Sequence, residues 1–184
     1  KKAKLCKFAF VVCPIAVFSQ FIFSQYDVIT VFFMLLGLYY WLKDDWKKFC
    51  LFFGIAITFK YHALMYFIVL LLLKEKRVWH IIKQLIICVL PLVFEVAIYI
   101  RDPYFVQSVF GFQALNKVNA TIYTGFMGEF NLIVIIGLLI FMWAYTVNAK
   151  EKTELVKWMT FLCSGISFLM FGICAWHPQW LIIL

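Results

Sequence analysis

The sequence predicts an all-α fold: a polytopic bundle of transmembrane helices, with a broken, re-entrant helix pair around residue 60 and a further helix lying on the outer interface. Three observations predict it. First, the 184 residues are 66% hydrophobic and only 14% charged, whereas soluble domains average about 45–50% apolar and about 25% charged. Second, apolar segments of the length needed to cross hydrocarbon recur along the whole chain. Third, the apolar run Phe49–Leu73 carries a lysine, Lys60, at its centre. An ammonium near a bilayer midplane costs about 2.5–3.5 kcal/mol on insertion scales, so it requires a partner or a water-filled cavity. The alternation over ~10 residues that marks a membrane barrel occurs nowhere.

The apolar segments, in order, are about 5–23, 28–42, 49–73, 78–100, 130–147 and 155–176. Residues 1–184 read as one transmembrane domain. The chain opens on Lys1 and stops inside the apolar run Leu181–Leu184, so it is expected to be a fragment of a larger membrane protein. The first segment reads as a helix rather than a cleaved leader. Two topologies compete for 49–73. If it crosses once, nine basic residues fall on the inner side and seven on the outer, with Lys60 in the membrane. If it enters, turns near Lys60 and returns, the inner side collects four lysines at the N-terminus, three at 43–48, four basic residues at 74–83 and three at 150–157. That is fourteen of the seventeen Lys and Arg, and the positive-inside bias therefore favours the broken pair. Its difficulty is length, because a half-helix of about twelve residues reaches only about 18 Å and is tolerated only against protein or a cavity.

Under the broken-pair topology, four polar features share the outer side. Ser24-Gln25-Tyr26-Asp27 ends the first helix and opens the second. Asp27 suits a helix N-cap, and the cluster also suits a sugar or a phosphate, with Gln25 and Asp27 as hydroxyl partners. Lys60, beside His62, can snorkel or meet a phosphate. Glu95 is the other charge within an apolar segment, and a Lys60–Glu95 pair would explain both without a ligand. The segment after Pro103 carries Phe105, Val106, Val109 and Phe110 at helical spacing, which predicts an interfacial amphipathic helix. His177-Pro178-Gln179-Trp180 follows the last apolar run, where Pro178 ends or kinks the helix. It reads either as an interfacial turn with Trp176 and Trp180 in the aromatic belt, or as a headgroup contact made by His177 and Gln179.

Several classes are disfavoured. The net charge of +8 comes from short clusters between apolar runs, which is loop bias rather than a nucleic-acid patch. The six cysteines show no CxxC spacing and lie, Cys6 apart, in apolar segments, so neither a disulfide framework nor a metal site is expected. No Walker loop, GxGxxG, HExxH or GxSxG is present. No cofactor is called for, and a divalent metal remains open.

Taken together, Ser24-Gln25-Tyr26-Asp27 with the apolar run to Tyr39, Phe59-Lys60 and His177-Pro178-Gln179-Trp180 resemble the GT-C superfamily of multi-spanning glycosyltransferases. Ser24–Asp27 is similar to the GQYD-type segment of bacterial and GPI-mannosyltransferase-like members, with Ser24 in place of the usual Gly, and to the FQYN segment of enzymes that extend lipid-linked oligosaccharides. Phe59-Lys60 is similar to the FK element that follows, and His177 falls where such chains carry a late His motif. The order and spacing match over about residues 10–184. The resemblance implies transfer of a hexosyl or mannosyl-type sugar from a polyprenyl-phosphate donor to a glycan or lipid acceptor, on the non-cytoplasmic face of a bacterial-type plasma membrane. It implies Lys60 and His177 at the donor phosphate, and Gln25, Tyr26, Asp27 and Gln179 at the substrate. The family's catalytic carboxylate lies in a loop before the segment that opens this chain, so the catalytic residue is left unassigned and the chain alone is expected to be inactive. The rival classes are a transporter or lipid flippase component, in which broken helices also surround a midplane site, and a purely structural membrane subunit.

Overall fold

The computed structural model describes residues 2–12, 27–110, 121–124 and 128–170. These are overwhelmingly helical. Helix α1 spans Lys2–Val11, α2 Asp27–Leu42, α3 Trp46–Phe59, α4 Ala63–Lys74, α5 Val78–Tyr99 and α6 Pro103–Phe110. A two-stranded antiparallel hairpin follows, β1 Thr121–Thr124 and β2 Gly128–Asn131, with Thr121 opposite Asn131 and Thr124 opposite Gly128. Helices α7 Leu132–Thr146 and α8 Lys152–Phe168 complete the order.

The run 49–73 is not one helix. Helix α3 stops at Phe59, Lys60 is extended (φ −151°, ψ 121°), and α4 starts at Ala63. The two halves fold back on each other. Phe67 lies 4.8 Å from Phe49 and 5.7 Å from Phe53 between ring centroids, and all three rings are buried. A straight helix would hold Phe49 and Phe67 about 27 Å apart.

The α2–α3 connection is built locally. Asp44 is left-handed (φ 61°), a conformation that Asp tolerates better than most residues. Asp45 then caps α3, its carboxylate accepting from the Lys48 amide at 3.2 Å. Close packing continues from there. A Cβ on Gly37 would lie 2.4 Å from the Phe53 ring, and one on Gly54 would lie 2.7 Å from the Cys88 carbonyl oxygen and 3.1 Å from Pro91. Glycine therefore lets α2 and α5 close on α3 from two sides.

Three links meet at one end of the molecule. Lys74, closing α4, reaches Asp44 at 2.6 Å and donates to the Trp41 carbonyl. Lys76 donates to the Ala144 carbonyl at 3.0 Å, and the Tyr145 hydroxyl donates to the Lys76 carbonyl at 3.0 Å. The segments 43–48, 74–83 and 150–157 carry ten basic and five acidic side chains, so this basic end is net positive.

Much of the outer surface is apolar. Phe32, Leu35, Phe94, Leu138, Met142, Phe161 and Phe168 are all more than half exposed. Patches of this kind mark a partner or a membrane. Helix α5 alone among the described residues is long and apolar enough to cross a membrane, and only 6% of its most apolar stretch is buried. The other apolar helices are shorter than the crossing length: α2 has 16 residues, α4 12 and α7 15. Among the described residues, one of the expected spans thus has full crossing length. The hairpin was not expected either, since 101–129 reads as a loop with one interfacial helix. That helix forms, as α6.

Candidate functional site

The end opposite the basic links holds the polar residues of interest. Register places them there. Helices α3 and α5 run parallel, because the Cys50 thiol donates to the Gln84 carbonyl at 3.7 Å and Gly54 meets Cys88 and Pro91. Advancing both helices by the same rise brings Lys60 and Glu95 to about one level. Helix α2 runs antiparallel to α3, with Phe33 stacked on Phe59 at 6.2 Å, so Thr30 lies near that level as well. Tyr66, in the first turn of α4, shares a 2.8 Å hydrogen bond with Ser167 of α8.

At the apex, the Lys60 amide donates to Ala56 O at 3.0 Å, and the Lys60 carbonyl accepts from Ala63 N–H at 3.2 Å. The turn is therefore closed by backbone on both sides, and the ammonium is carried on a half-buried, non-helical residue. His62 follows at the entrance to α4 and makes no side-chain cap. Two nearby oxygens are buried without a hydrogen-bond partner, Thr30 Oγ1 and Glu95 Oε2. Orphaned polar atoms are uncommon in folded proteins and mark strain or a ligand position. The Lys60–Glu95 pair is not formed: among the described residues no ion pair joins them.

Of the residues expected at the donor phosphate, Lys60 is at this apex, while His177 lies outside the described residues. Gln25, Tyr26 and Gln179 also lie outside them. Asp27 begins α2, at the end of the fold that carries Lys60. Thr30 and the Tyr66–Ser167 bond carried no signal in the sequence, where a Thr, Tyr or Ser among apolar neighbours is ordinary. No group of three or more His, Cys, Asp or Glu that could hold a metal occurs among the described residues, and Cys50, Cys88 and Cys163 are free thiols.

Beside this end runs a groove of about 310 Å³ between α2, α4 and α8. Its walls are Leu35, Leu38, Phe53 and Leu70, with Thr160, Ser164, Ser167 and Tyr66 supplying hydroxyls. An apolar trough with a few hydroxyls suits a long hydrocarbon with one polar terminus.

The chain matches no protein-family model, and no curated protein or solved structure matches it.

Proposed function

We propose that this chain is part of a multi-pass membrane glycosyltransferase of the GT-C type, which takes a sugar from a polyprenyl phosphate on the non-cytoplasmic side. The observation that carries the reading is the fold-back at Lys60. It sets one lysine at an apex opposite an end bearing ten basic side chains, the asymmetry that the positive-inside rule predicts for a re-entrant pair. The apolar outer surface and the exposed face of α5 support a multi-pass bilayer setting. The groove between α2, α4 and α8 supports a lipid-borne donor.

The chemistry follows from the groups assigned. An acceptor hydroxyl attacks the anomeric carbon, its proton passes to a carboxylate carried elsewhere in the full protein, and the bond from the anomeric carbon to the phosphate oxygen breaks. Negative charge grows on that phosphate. Lys60, assisted by His177, stabilises it, while Gln25, Tyr26, Asp27 and Gln179 hold the sugar hydroxyls.

The test is Lys60→Ala in the full protein, scored by sugar transfer in membranes alongside the level of inserted protein. Transfer is expected to fall by about 100-fold or more, the scale of losing one charge-stabilising group, with insertion unchanged. Normal turnover would overturn the role. Single cysteines at 25, 60 and 179 are expected to label from the non-cytoplasmic side, and labelling of 25 and 179 from opposite sides overturns the topology.

A further inference from the structure

A second cavity lies at the basic end, away from Lys60. It holds about 240 Å³ between the α2–α3 link, the end of α4 and the first turns of α5. Its floor is apolar, made by Trp41, Phe49 and Leu71, all buried. One polar group stands in that floor: Gln84, 9% exposed, whose carboxamide makes no side-chain hydrogen bond among the described residues. The rim carries Trp46, His80 and Lys83. Lys83 and Lys47 both place their ammonium groups over the Trp46 indole, at 5.6 and 6.0 Å from its centre.

The charges facing the cavity divide into two sets. Lys74 is committed to Asp44 at 2.6 Å and lies over Trp41 at 4.3 Å, so that pair neutralises itself. Glu75 faces the cavity too, its Oε1 accepting the Lys76 and Arg77 amides at 3.1 and 3.0 Å; it keeps its charge, so the positive balance comes from the end around the cavity rather than from the lining alone. Lys83, with Lys47 and His80 beside it, forms no ion pair among the described residues, and the surrounding end is net positive by five charges, ten basic against five acidic. The Gln84 carboxamide below, ammonium groups and the Trp46 indole at the rim, and exposed apolar Val78, Trp79 and Ile82 alongside make a site with a polar point in its floor and a greasy wall.

We propose that this cavity binds the headgroup of one anionic phospholipid from the leaflet that faces the basic end. The phosphodiester sits against Lys83 and His80, a headgroup hydroxyl or phosphate oxygen accepts from the Gln84 carboxamide, and the acyl chains run along the exposed face of α5. Charge complementarity selects an anionic lipid over a zwitterionic one, and indoles at this level suit the boundary between headgroup and hydrocarbon. The inference shares the membrane setting of the proposed function but not its sugar chemistry, so a chain inactive in transfer still reports on it.

The experiment is a thermal-shift titration of the full chain in mild detergent with dioctanoyl-phosphatidylglycerol, dioctanoyl-phosphatidylcholine and free glycerol phosphate. The glycerol lipid is expected to raise the melting midpoint saturably and the choline lipid and glycerol phosphate to leave it unmoved. Lys83→Gln is expected to weaken the titration midpoint about fivefold, the size of one lysine at a lipid surface, and Gln84→Leu to weaken it as well, whereas Lys157→Gln on the same end leaves it unchanged. Lys83 is exposed, so its substitution leaves the fold intact. Equal shifts from both lipids, an equal shift from glycerol phosphate alone, or midpoints unmoved by both cavity variants would each overturn the proposal.

Discussion

Phe67 stacks on Phe49 with ring centroids 4.8 Å apart, and this contact holds the two half-helices on either side of Lys60 against each other. Phe67→Ala removes the ring that both Phe49 and Phe53 pack against. The expected loss is about 3–5 kcal/mol, as for other buried Phe to Ala changes. Thermal or denaturant unfolding in mild detergent measures it, and Phe67→Leu, which keeps most of the volume, is expected to lose much less.

Gly54 tests the approach of α3 to α5. A Cβ there meets the Cys88 carbonyl oxygen at 2.7 Å, and a backbone atom cannot rotate away. Gly54→Ala is expected to destabilise by about 1–3 kcal/mol, despite the higher helix propensity of Ala. An unchanged melting midpoint would mean that the helices are not packed this closely.

The Asp44–Lys74 pair separates charge from backbone conformation. Asp44 is largely exposed, so Asp44→Asn, which keeps the left-handed turn and loses the charge, is expected to cost about 0–1 kcal/mol. Asp44→Val meets the same backbone with a β-branched side chain at φ 61° and is expected to lose clearly more. Equal effects of the two substitutions would remove the turn as the cause.

Lys76 gives a pH signature. Burial lowers its pKa from the ordinary 10.5, so the unfolded chain binds the proton more tightly than the folded one. Stability is therefore expected to rise as pH climbs through the folded value towards 10.5, and to be lower throughout the range in which both states are charged. Lys76→Met removes the titrating group. Melting midpoints recorded between neutral pH and pH 10.5 are expected to flatten in that variant.

Glu95 carries a buried oxygen without a hydrogen-bond partner. Glu95→Leu removes that cost, and an increase in stability of about 1–3 kcal/mol is expected. A Glu95→Leu variant that gains stability while losing the proposed sugar transfer would tie the carboxylate to a ligand. Loss of stability would mean that the carboxylate serves the fold.

The break at Lys60 and the helix after Pro103 were legible because each left a mark on the sequence itself: a charge inside an apolar run, and apolar residues at helical spacing after a proline. The hairpin Thr121–Asn131 was not legible, since strands of four residues are too short for alternation to separate from a loop. A pairing of Lys60 with Glu95 was one alternative the sequence left open, because both are charges within apolar segments. Register sets them at one level without bringing them into contact, and register depends on Gly54 meeting Pro91, which no local pattern announces. The socket at the basic end was equally hidden. Gln84 lies among apolar neighbours in the sequence and becomes a floor residue only when the Trp46 and Lys74 segments close over it.

The glycine-tight sandwich of α3 between α2 and α5 has a consequence for biogenesis. In the proposed bilayer setting a half-helix cannot remain exposed to lipid at its tip, so there α3 and α4 have no stable resting place when they leave the ribosome. Helix α3 must wait for α5, and α4 for α7 and α8, whose Ser167 meets Tyr66. The Lys60 apex is therefore among the earlier segments made and the last to be sealed. Truncation after α5, which removes α7 and α8, is expected to leave it permanently accessible to insertion chaperones and membrane proteases.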